Sequence, residues 1–107
     1  MEPIVNEHGV IINFETTKIV DCKEGIIEIR HIEHEGKMYA TLSMDVYNMG
    51  MGSCPRFDDE VKSFTDFVFK KFDYIRDYLS RSEYHQNQII LRQFEDYCRT
   101  LKQPTLF

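Results

Sequence analysis

Residues Lys37 to Tyr47 alternate side by side in a way that suits an extended strand and no other regular element. Met38, Ala40, Leu42, Met44 and Val46 fall on one side, and Tyr39, Thr41, Ser43, Asp45 and Tyr47 on the other, because successive side chains of a strand point to opposite faces. A helix would scatter the aliphatic set around its circumference instead of gathering it on one stripe. The turn residues His34-Glu35-Gly36 connect this run to Ile26-Ile27-Glu28-Ile29-Arg30-His31-Ile32, so residues 26–47 are expected to form an antiparallel hairpin. One of its faces should be core and the other at least partly wet.

The hairpin has company on its N-terminal side. Val10-Ile11-Ile12-Asn13-Phe14 follows Gly9, and Lys18-Ile19-Val20-Asp21-Cys22 precedes the turn Lys23-Glu24-Gly25, which extends the hairpin to a meander of about four strands. Alternation fails near Arg30-His31, where a bulge or a strand end is expected. Asn48 to Pro55, with two glycines and a proline, reads as a loop. A helix is expected from about Asp58, with Asp58, Asp59 and Glu60 in its first turn and Val61, Phe64, Val68, Phe72, Ile75 and Leu79 as its apolar stripe. Ser80-Arg81-Ser82-Glu83 has the form of a capping box and starts a second helix, whose apolar positions are Tyr84, Ile90, Leu91, Phe94, Tyr97, Cys98 and Leu101. Pro104 stops it. The expected fold is α+β: an N-terminal antiparallel β-meander packed against two C-terminal α-helices, with residues 1–102 as a single domain and residues 103–107 as an exposed tail.

Composition narrows the function. A chain of 107 residues that is 42% hydrophobic can bury a core without a metal or disulfide staple. Cys22, Cys54 and Cys98 are odd in number and show no zinc spacing, so reduced thiols and a cytoplasmic setting are expected. There is no basic, apolar leader pattern after Met1 and no long apolar run, which disfavours secretion and membrane spanning. The net charge is −5, and residues 1–57 hold nine acids against five bases, a balance that does not suit a protein built to neutralise phosphates.

The most specific pattern is Gln103-Pro104-Thr105-Leu106-Phe107. It resembles the bacterial sliding-clamp-binding motif, usually Gln-Leu-Ser/Asp-Leu-Phe, at the glutamine, the fourth-position leucine and the final phenylalanine. Such a peptide seats two adjacent apolar side chains in a preformed pocket while the glutamine amide bonds at its edge. The resemblance implies Leu106 and Phe107 as anchors and Gln103 as polar reader. Pro104 stands where leucine is common, and Thr105 where serine or aspartate is. Residues 38–69, an alternating strand, a glycine- and proline-bearing loop and an acidic helix start, are similar to short phage and mobile-element proteins, several of which end in a clamp-like tail. Together the two resemblances imply a phage or mobile-element accessory protein, with the clamp of DNA replication as partner.

Other groups read as structural. Gly50-Met51-Gly52 lacks the lysine of a P-loop and the third glycine of a dinucleotide fingerprint, and is expected to be a plain turn. His31 and His34 point to opposite faces of a strand and read as solvated turn residues. No local signature surrounds Cys54. Tyr47, Met49 and Met51 read as a second, adaptable binding surface, since methionine repacks easily. These readings describe a noncatalytic interaction protein without cofactor or metal. The alternatives are a homo-oligomeric regulatory protein joined through Tyr84, Leu91 and Phe94, or an acidic inhibitor of a host nucleic-acid enzyme, with the tail only structural in either case.

Overall fold

The computed structural model describes residues 2–47 and 49–102. Its fold is α+β. Strands β1 (Glu15–Cys22), β2 (Gly25–His34) and β3 (Lys37–Val46) form an antiparallel meander, followed by the short strands β4 (Met49–Met51) and β5 (Glu60–Val61) and the helices α1 (Phe64–Ser80) and α2 (His85–Lys102). The sheet order is β1-β2-β3-β4, and β5 also pairs with β3. The β2–β3 hairpin closes on Glu35 and Gly36 with φ of 54° and 78°, the left-handed pair of a tight two-residue turn. His34 pairs with Lys37 at its end, and the register then runs unbroken to Ile26 opposite Asp45.

Both helices pack on one face of the sheet. Ile27, Ile29, Ala40, Leu42, Met44 and Val46 point into this layer and meet Phe67, Val68, Ile75 and Leu79 of α1 and Ile90, Phe94 and Cys98 of α2. Each such large side chain contributes about 1.5–3 kcal/mol by leaving water. α2 comes close enough to the sheet that a methyl group on Gly25 would stand 2.6 Å from Ile90 Cδ1 and from Asp45 O, which leaves only glycine at this position.

Several expectations are corrected. The bulge lies in β1, between Lys18 and Val20, and not near Arg30-His31; it shifts the alternation by one residue, so Ile19 and Val20 are both buried. Val10 to Phe14 is not a strand: Val10 and Ile11 make single bridges to Arg56 and Val5. This N-terminal segment covers one end of the sheet's other face, where Ile11, Ile32 and Tyr39 form a small second core. Tyr39 and Thr41 are therefore buried, although they stand on the face expected to be wetter.

α1 begins at Phe64, not Asp58. Asp58 and its neighbours close a turn in which Arg56 N donates to Asp59 Oδ2 at 2.9 Å, and Glu60-Val61 joins the sheet. The cap is Ser63, whose Oγ accepts from Asp66 N at 3.0 Å. The break between helices falls at the expected place, but α1 runs through Ser80. Ser82, not Ser80, accepts from Tyr84 N at 3.1 Å just before α2. The expected loop 48–55 contains β4. Among the described residues no helix is long and apolar enough to cross a membrane.

Candidate interaction surface

Asn87 is the residue that fixes the end of β3. It lies in the first turn of α2 and is fully buried. Its Oδ1 accepts from Tyr47 N at 3.1 Å, and its Nδ2 donates to Ser82 Oγ at 2.9 Å and to Tyr47 O at 3.5 Å. A side-chain amide thus takes the place of a strand partner just where β3 ends, and ties strand, interhelix loop and helix together. With its backbone held, Tyr47 presents its ring outward, 44% exposed, 4.4 Å from the ring of Tyr84.

β4 continues this surface. Val46 pairs with Met49 and Met44 with Met51. Met49 is half-buried against the main core and serves as an anchor, while Met51 is 39% exposed. Tyr74 of α1, half exposed, donates its hydroxyl to Met51 Sδ at 3.6 Å. Of the three residues expected to form a second surface, Tyr47 and Met51 are exposed and Met49 is mostly support. Tyr74 and Tyr84 complete it. The sequence offers only a faint signal for these two, since tyrosine suits a core edge and a surface alike.

The loop after β4 is held down rather than free. Ser53 O accepts from Thr41 Oγ1 at 2.7 Å and from Arg30 at 3.4 Å, on the face away from the helices. Arg30 also sits over the Phe14 ring at 5.5 Å and 3.4 Å from Glu28. A side chain on Gly52 would press against Ser43 Oγ at 2.9 Å, so this glycine serves close packing.

The histidines are not the solvated turn residues expected. His31 is half-buried on the helix side, edge-on to Phe64 at 5.5 Å, with its Nε2 2.8 Å from Thr17 Oγ1. His34, on the opposite face, lies 3.6 Å from Glu2 and 3.8 Å from Glu35. Among the described residues no three His, Cys, Asp or Glu side chains gather as a metal site. Cys22 and Cys54 are both partly buried, and Cys98 is buried. Burial raises the Tyr97 phenol above its ordinary value of 10.0, and the neighbouring Cys98 pushes the same way.

The proposed self-association through Tyr84, Leu91 and Phe94 loses its centre. Phe94 is fully buried, its ring 5.5 Å from Phe72, and Leu91 packs on the same core, because the α2 stripe is spent on the sheet and on α1. Gln103, Leu106 and Phe107 lie outside the described residues; the last described turn of α2 ends directly before them. Comparison of the chain with protein-family models, curated proteins and solved structures finds no match.

Proposed function

We propose that this chain is a noncatalytic protein-interaction module, an accessory protein of a phage or mobile element that docks on the bacterial DNA sliding clamp through Gln103, Leu106 and Phe107. One observation carries this reading: the pentapeptide Gln-Pro-Thr-Leu-Phe at 103–107, which keeps the three side chains on which that docking mode rests. Two features of the body agree with it. The apolar side chains of both helices already have partners within the domain, and the exposed tyrosines and methionine beside β4 are the residue types that protein interfaces favour.

Calorimetric titration of a purified bacterial sliding clamp with the full chain tests the proposal. Binding is expected, and the double change Leu106→Ala/Phe107→Ala is expected to weaken it by about tenfold or more, as removal of two anchor side chains does. Equal binding by the variant would overturn the assignment of the anchors, and no binding by either would overturn the partner.

A further inference from the structure

β4 is the outermost strand on its side of the sheet, and among the described residues no strand lies beyond it. In an antiparallel strand the N–H and C=O of one residue point to the same side, and every second residue repeats that direction. The β2–β3 register has no shift, and Ala40 N donates away from β2 to Asp59 O at 3.1 Å. Met44 and Val46, at even steps from Ala40, therefore turn toward β4 and bond their partners Met51 and Met49. Gly50 lies between those two, so its N–H and C=O point outward from the sheet.

This edge is open. Gly50 and Met51 are exposed, and a methyl group built on Gly50 would meet nothing within 4 Å. Met49 and Met51 stand on the helix-covered face, where the Tyr74 hydroxyl of α1 reaches Met51 Sδ at 3.6 Å.

α1 carries a charge pattern that, read from its other end, is the same with the signs exchanged. Asp66, Lys70, Tyr74, Asp77 and Arg81 recur at three- and four-residue steps and so form one stripe along the helix and its cap, all of them exposed except the half-buried Asp66. Two such stripes laid antiparallel set Asp66 against Arg81 and Lys70 against Asp77, each pair twice, with the two Tyr74 side chains at the middle. Laid parallel, they would set like charges together. Within the chain Lys70 lies 3.7 Å from Asp66 and Arg76 3.6 Å from Asp77, both in solvent, so the cross-pairs extend these contacts and displace no buried bond.

We propose that β4 joins β4 of a second copy about a two-fold axis through Gly50, perpendicular to the sheet. Gly50 exchanges both main-chain hydrogen bonds with its counterpart, and Met49 faces Met51 of the second copy on the helix-covered face. The same axis makes the two α1 helices antiparallel and keeps them on one side of the joined sheet, where their stripes meet. A two-fold interface uses one patch twice, so the patch must complement itself, and both the strand edge and the stripe do. The contact involves neither residues 103–107 nor Leu91 and Phe94, and it does not depend on the clamp.

Sedimentation equilibrium of the full chain, from micromolar to near-millimolar concentration, is expected to show a reversible rise from 12.8 kDa toward twice that mass. Gly50→Pro removes the outward donor without touching a bond to β3, and Met51→Lys places a charge at the axis; each is expected to weaken association about tenfold or more while thermal unfolding at low concentration shows a folded chain. Lys70→Glu is expected to weaken it about threefold, and the exchange Lys70→Glu/Asp77→Lys to restore it. A mass of 12.8 kDa throughout, or a dimer that tolerates both Gly50→Pro and Met51→Lys, would overturn the interface. A double exchange no better than Lys70→Glu alone would overturn the antiparallel stripe.

Discussion

The two faces of the sheet use the same three strands and hold the molecule together unequally. On the helix-covered face, fifteen buried residues among those described, from strands and both helices, form one continuous core. On the other face, among the described residues, Ile11, Ile32 and Tyr39 form a small core under an N-terminal segment held by single bridges and a few further hydrogen bonds. Ile29 and Ile32 make the contrast sharp: both are on β2, both about 1% exposed, and they point to opposite faces. A residue's burial alone does not measure its contribution; the rigidity of what surrounds it matters as much.

That comparison can be broken by experiment. Ile29→Ala is expected to cost about 3–5 kcal/mol in denaturant unfolding and Ile32→Ala about 2–3, because the thin cover over Ile32 can settle into the space while the two helices cannot. Equal costs would show that the faces are equally rigid. Asn87→Ala leaves the Tyr47 backbone donor without its partner, and a loss of about 1–3 kcal/mol is expected, with the Tyr47 amide exchanging faster. Unchanged exchange would mean that the end of β3 does not need this clamp.

The smallest effect is expected from pH. Tyr97 titrates above its ordinary 10.0 in the folded chain, mainly through burial, so the native state holds its proton where the unfolded chain has begun to lose it. Stability should be insensitive to this group below about pH 10 and fall as the pH rises beyond it, and Tyr97→Phe should flatten that fall. An identical alkaline slope in the variant would show that Tyr97 is not enclosed by the helix-side core.

The β2–β3 hairpin was legible in the sequence because Met38, Ala40, Leu42, Met44 and Val46 alternate cleanly with their neighbours and a turn precedes them. The bulge between Lys18 and Val20 was not, because a one-residue shift in so short an apolar run looks the same as two adjacent buried residues. The start of α1 was misplaced because acidic residues suit both a helix entrance and a polar turn; Ser63, three residues before Asp66, carried the better signal. Asn87 was missed, yet it stands at the helical spacing of Ile90, Leu91, Phe94 and Cys98, and a polar residue in an apolar stripe invites the question of what it bonds. The course of the chain between β4 and β5 could not be read at all, since it is a property of tertiary path rather than of local pattern.

The claim that function lies outside the main core rests most directly on a competition measurement. The full chain, bound to a bacterial sliding clamp, is challenged with a short synthetic peptide of the form Gln-Leu-Ser-Leu-Phe. Stoichiometric displacement of the wild-type chain is expected, with thermal unfolding of the Leu106→Ala/Phe107→Ala variant matching that of the wild type. A complex that persists at saturating peptide, or a variant that unfolds many degrees earlier, would contradict it.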